Sequence, residues 1–146
     1  MKIIEDSIWN KIDDLDYICI TTNSILNSKK ELVMGAGIAK EAKNRYPSLP
    51  KEFGKKILEK GYEGKFYGII VYAKFLAFQT KIHYKDNSPL DLVKKSCEYL
   101  KIAADLNKNL IFGLPFPAVT NGGRTYEEIL PIVSILPDNV YIFKTI

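Results

Sequence analysis

The stretch that most constrains the fold runs from Tyr17 to Lys40. Tyr17-Ile18-Cys19-Ile20-Thr21-Thr22 is a dense β-branched and aromatic run, long enough for a buried strand, and it ends at the polar Asn23. Val33-Met34-Gly35-Ala36-Gly37-Ile38-Ala39-Lys40 follows, with Gly35 and Gly37 opening onto a helical pattern. A strand, a polar turn, glycines and a helix start are what a backbone needs to approach a phosphate closely. Glycine has no Cβ to block the approach, and the N–H groups that open a helix carry partial positive charge. The same Gly-x-Gly spacing also occurs in tight turns that hold nothing, so spacing alone leaves both readings open.

The rest of the chain alternates strand-like and helix-like segments. Lys2 to Ile4 is short and apolar, and Asp6 closes it. A carboxylate there either accepts hydrogen bonds from a ligand amine or caps the turn that follows. Ile38, Ala39, Ala42 and Tyr46 recur at helical spacing until Pro47, and Leu49 to Lys60 reads as a second helix closed by Gly61. Phe66 to Ala73 and Phe75 to Thr80 read as consecutive, antiparallel strands. Ser88-Pro89-Leu90-Asp91 predicts a long helix with Ser88 as N-cap, and Leu92, Val93, Leu100, Ala103, Ala104 and Leu106 form its apolar face.

Leu110 to Leu114 is a further strand, and Pro115 to Gly123 is a second glycine-bearing loop. Thr125 to Glu128 predicts a capping box, and Pro131 a short or bent helix behind it. Val140 to Lys144 is a final strand. This order predicts an α/β protein: a three-layer α/β/α sandwich with a mixed sheet of about six strands, in one domain over residues 1–146. In open α/β sheets ligands gather at the carboxyl ends of strands, which is where Thr21, Thr22 and Asn23 lie.

Composition narrows the function classes. A chain of 146 residues, 47% hydrophobic, suits one globular domain with a sizeable core. No apolar run is long enough to cross a bilayer, and Met1 to Asp6 lacks the apolar core of a signal peptide, so a cytoplasmic protein without membrane contact is expected. Cys19 and Cys97 are isolated and His83 is the only histidine, which argues against a zinc site or a disulfide framework. The net charge of +4 is spread along the chain; it permits a polyanionic partner without requiring one.

The two glycine loops, the N-terminal Asp and the strand-end Asn together resemble the macro domain family over nearly the whole chain. The first loop is similar to Met34-Gly35-Ala36-Gly37-Ile38-Ala39 after Thr22-Asn23, and the second to Asn121-Gly122-Gly123 followed by Tyr126-Glu127. The resemblance implies ADP-ribose as ligand or product, with no metal and no redox cofactor. It implies that Asp6 holds the adenine amine, while Gly35, Ala36, Gly37 and Ile38 of the first loop and Val119, Thr120, Asn121, Gly122 and Gly123 of the second, with Tyr126, wrap the diphosphate and distal ribose. Thr22 and Asn23 stand at the strand end between them. Asn23 serves either the ribose or the capping of its own strand.

A third segment, Phe78-Gln79-Thr80-Lys81-Ile82-His83-Tyr84, resembles the Thr-Lys-x-His-aromatic segment of the branch that includes DarG antitoxins and terminal ADP-ribose protein glycohydrolase. That resemblance makes Lys81 the catalytic nucleophile, attacking the anomeric carbon of the distal ribose and passing through a Schiff-base-type adduct. From position alone Lys81 is one of many lysines; at the end of an apolar strand, partial burial would lower its pKa toward a usable amine. His83 either orients a phosphate or the leaving group, or is structural.

Two departures matter. Where relatives carry Gly-Cys-Gly before the second loop, this chain has Ala118-Val119-Thr120. Where the protein-directed glycohydrolase has an aspartate, this chain has Gly122, which favours a DNA base over a protein as acceptor. The resemblance thus implies an ADP-ribosyl glycohydrolase acting on an ADP-ribosylated acceptor, and the compact size leads us to expect a monomeric, stand-alone protein in the setting of counter-defence. The alternatives are a module that only holds ADP-ribose or a related cyclic nucleotide, and a phosphatase acting on ADP-ribose 1″-phosphate.

Overall fold

The computed structural model describes residues 1–145. Six strands form one mixed sheet in the order β1 (Lys2–Ile4), β6 (Val140–Phe143), β5 (Phe112–Pro115), β2 (Tyr17–Thr22), β4 (Phe75–Gln79), β3 (Ile69–Tyr72). Every neighbouring pair is parallel except β3 with β4, which is antiparallel. The carboxyl ends of the five parallel strands therefore share one edge of the sheet. That edge is where Asp6, Asn23, Lys81, Phe116 and Lys144 emerge.

Strand side chains alternate between two apolar layers, because successive residues of a strand point to opposite faces. Ile18, Ile20, Phe75 and Ala77 pack with α1 (Gly37–Arg45), α2 (Leu49–Glu59) and a 3-10 helix at Ile8–Asp14. Cys19, Leu76, Phe78, Phe112, Leu114 and Ile142 pack on the other side with α3 (Leu90–Leu106) and α4 (Tyr126–Val133). The expected three-layer α/β/α arrangement is thus present. Among the described residues no helix is long and apolar enough to cross a membrane.

Three local expectations need correction. The 3-10 helix at Ile8–Asp14 was not expected; it buries Ile8 and Trp9 and is capped by Ser7, whose hydroxyl accepts from Trp9 N at 3.3 Å. Ser88 does not cap α3. Its N–H donates to Gly122 O at 2.8 Å, which draws it into the second loop and leaves Pro89 at the N-cap. Leu106 is 79% exposed, because the buried stripe of α3 follows Val93, Cys97, Leu100 and Ala104 and leaves Leu106 off it. The capping box is as expected: Thr125 Oγ1 accepts from Glu128 N, and Glu128 Oε1 accepts from Thr125 N, both at 3.1 Å. Pro131 lies inside the short α4.

Candidate functional site

A cleft of about 650 Å³ lies along the shared strand edge, within the size range of small-molecule sites. Its lining brings together Asp6, Thr22, Asn23, Gly35, Ala36, Gly37, Ile38, Lys81, Thr120, Asn121, Gly122 and Tyr126. These come from six separate segments of sequence, so convergence is a property of the fold.

The first loop is held from below. Asn23 is buried; its Nδ2 donates to Val33 O at 2.9 Å and its Oδ1 accepts from Ile25 N at 2.8 Å. Its side chain therefore shapes the loop, the capping role left open by the sequence. Thr22 is turned inward, where its hydroxyl is hydrogen-bonded to Tyr67 Oη, and Tyr67 Oη also donates to Asn23 O at 2.8 Å.

The two glycines of this loop differ physically. Gly37 has φ +55°, in the left-handed region, and a Cβ there would collide with the Asn121 amide. Fold geometry alone accounts for it. Gly35 has nothing within 4 Å of where a Cβ would sit, and it lines the cleft. Nothing in the fold requires a glycine there.

The second loop packs against both the first loop and the Lys81 segment. Ala118 takes φ +67°, a conformation costing a non-glycine residue about 1–2 kcal/mol. Its carbonyl accepts from Arg124 N at 3.0 Å, and Gly122 O accepts from Ser88 N. Arg124 Nε donates to Ser88 O at 2.7 Å.

Lys81 follows β4 and is half-buried. Its Nζ donates to Asn121 O at 2.6 Å and to Tyr84 O at 3.2 Å. Burial pulls its pKa below the ordinary lysine range, and the Asp86 carboxylate pushes it back up. At the other end of the cleft, Asp6 Oδ1 accepts from Ser7 N at 2.7 Å and Asn10 Nδ2 at 2.8 Å. The Asn10 and Ser7 hydrogen bonds lower its pKa, so it is a carboxylate at neutral pH. Among the described residues its Oδ2 carries no hydrogen bond, and is available to an amine.

Three expected site residues stand outside the lining. The His83 ring packs on Tyr84 and its Nδ1 accepts from Lys85 N at 3.1 Å, which fixes it in the turn after Lys81. Val119 is partly buried and packs against the apolar layer that includes α3 and α4. Gly123, at φ +72°, turns against Asn87. Conversely, Trp9, Glu41, Tyr84, Phe116 and Lys144 line the cleft without having been expected there. Phe116 and Lys144 each follow a parallel strand, and that position was a usable signal. Lys144 Nζ sits 4.2 Å from the Tyr126 ring centroid, and Phe116 meets the same ring edge-on at 4.8 Å.

No protein-family model and no curated protein matches this sequence. Solved structures do match the fold. The macrodomain of Thermus aquaticus DarG has a TM-score of 0.75 at 20% identity, over 97% of this chain and 95% of that one. The macrodomain of Mycobacterium tuberculosis DarG has a TM-score of 0.70 at 24% identity, over 97% and 96%. Thermosipho africanus DarTG, solved in complex with ADP-ribose, has a TM-score of 0.75 at 19% identity, over 97% of this chain and 40% of that one. The chain has the macrodomain fold.

Proposed function

We propose that this macrodomain binds ADP-ribose and hydrolyses ADP-ribosyl linkages on an acceptor, a DNA base in preference to a protein, with Lys81 as nucleophile. The observation that carries the reading is Lys81 Nζ standing inside the cleft, bonded to the second loop at Asn121 O. The Thermosipho DarTG complex with ADP-ribose supports the ligand. Gly122, in place of an acid, supports the DNA base.

Asp6 Oδ2 receives the adenine amine, and backbone N–H groups at Gly35 to Ile38 and Thr120 to Gly122 face the diphosphate. The distal ribose then reaches Lys81. The free amine bonds to the anomeric carbon; the bond from that carbon to the acceptor breaks, its electron pair staying with the acceptor, which takes the proton the amine gives up. The glycosylamine opens to an iminium. Water adds at the same carbon, the C–N bond breaks, and free ADP-ribose and the Lys81 amine are restored.

A second reading is holding without turnover. Two N–H groups of the Lys81 ammonium are bonded to carbonyls, which stabilises the charged, non-nucleophilic form. A panel of ADP-ribosylated single-stranded DNA, ADP-ribosylated protein and free nucleotides, read by mass, separates the two. Release from DNA supports hydrolysis, and tight calorimetric binding with every substrate intact supports holding. Failure to bind any ADP-ribose compound would sink both.

A further inference from the structure

Gln79 is the last residue of β4 and is fully buried. A carboxamide has two acceptor lone pairs and two N–H donors. Here all four are used: Oε1 accepts from Tyr67 N at 2.7 Å and Gly68 N at 3.1 Å, and Nε2 donates to Lys65 O at 2.9 Å and Lys81 O at 3.1 Å. The amide has no rotational freedom, since exchanging its ends would set donors against donors. Its backbone is gripped as well. Gln79 O accepts from Ser96 Oγ of α3 at 2.7 Å, and Gln79 N donates to Gly68 O at 2.9 Å.

Sheet register ends at this residue. Gln79 is the last partner of β2, opposite Thr22, and the next two amides, Thr80 N and Lys81 N, both converge on Thr22 O, at 2.9 and 3.4 Å. Two consecutive amides on one carbonyl mean that the chain leaves its extended path here. Lys81 is thereby held at three points: its N–H by Thr22 O, its C=O by the Gln79 amide, and its Nζ by the carbonyls of Asn121 and Tyr84.

We propose that Gln79 is the positioning residue for Lys81: its saturated, buried amide fixes the Lys81 backbone so that Nζ stands in the cleft beside Asn121. The inference rests on Lys81 acting as nucleophile. Gln79 is fully buried and is not one of the cleft-lining residues, so its effect falls on reaction rather than on ligand affinity. A displacement of the reacting atom by about 1 Å costs up to a hundredfold in rate.

The test uses Gln79→Met, which keeps the shape without the hydrogen bonds, and Gln79→Asn, a milder change that keeps a buried amide too short to span both ends. Turnover on ADP-ribosylated DNA and the Kd for ADP-ribose are measured side by side. The expected result is a fall in kcat of about tenfold or more, with Kd within about threefold of wild type. In the Lys81→Ala background, Gln79→Met then changes the residual rate by less than about twofold, because residues acting as a unit are not additive. Should Gln79→Met fail to fold, Gln79→Asn decides. Unchanged kcat in the folded variant, or kcat and Kd worsening together, overturns the inference while Lys81→Ala inactivity leaves the nucleophile standing. Full activity of Lys81→Ala, or a wild type without turnover, overturns both.

Discussion

Lys81 Nζ donates to Asn121 O at 2.6 Å, a bond that joins the segment after β4 to the loop before α4. Asn121 in turn lies against Gly37 of the first loop. The proposed nucleophile and both glycine loops therefore form one contiguous unit.

The partly buried Lys81 amine sets a pH dependence. The free amine is the reactive form, and burial holds the Lys81 pKa below the ordinary lysine range. Turnover is expected to rise with pH through that pKa and then level off. The Asp86 carboxylate opposes the shift by favouring the ammonium, so Asp86→Asn is expected to move the rising limb to lower pH. Asp86 is exposed, so the displacement shrinks as salt is added. Profiles of kcat against pH at low and high salt check this; a limb that moves to higher pH contradicts it.

The two glycines of the first loop separate fold from ligand. Gly37→Ala places a side chain at φ +55° against Asn121, and is expected to cost about 1–2 kcal/mol of stability. At Gly35 an added Cβ meets only open space, and Gly35→Val is expected to leave thermal stability nearly unchanged. It is expected to weaken ADP-ribose about tenfold or more by blocking the close approach of the diphosphate. Thermal melts beside calorimetry distinguish them, and equal loss of stability in the two variants contradicts the assignment.

Asp6 offers a test at the other end of the cleft. Asp6→Asn keeps an oxygen for Ser7 N and Asn10 Nδ2 but replaces the free acceptor with a donor. The turn is expected to survive, with ADP-ribose affinity reduced about tenfold or more. A Kd unchanged from wild type excludes Asp6 from adenine recognition.

Beneath the first loop, Tyr67 Oη ties Thr22 Oγ1 to Asn23 O. Tyr67→Phe leaves the buried Asn23 O without its donor and the buried Thr22 hydroxyl without its acceptor, and is expected to destabilise the fold by about 1–3 kcal/mol. Chemical denaturation measures this. No loss of stability means that the tie is dispensable.

The alternation of strands and helices, the breaks at Pro47 and Gly61, and the Thr125–Glu128 capping box were legible in sequence because each depends on neighbouring residues. Ile8–Asp14 was not legible: a 3-10 turn has no α-helical period, and Trp9 is buried by tertiary contact. Ser88 reads as a cap, but its N–H and C=O are tied to Gly122 O and Arg124 Nε, partners far along the chain, and the N-cap falls at Pro89. The same limit applies at the site. Asp6, Lys81 and parts of both glycine loops, singled out by local pattern and family resemblance, line one cleft, whereas the turning aside of His83 depends on Lys85 N and Tyr84. Gln79 did leave a signal. A carboxamide inside the apolar run Phe75 to Thr80 must find partners when buried, and asking which ones leads to Lys81 O.

The most direct measurement is release of ADP-ribose from ADP-ribosylated single-stranded DNA by wild type and Lys81→Ala, followed by mass, with the ADP-ribose Kd of each. Wild type is expected to release ADP-ribose and Lys81→Ala to be slower by at least about a hundredfold, with Kd values within about threefold. Equal rates of release would contradict Lys81 as the nucleophile.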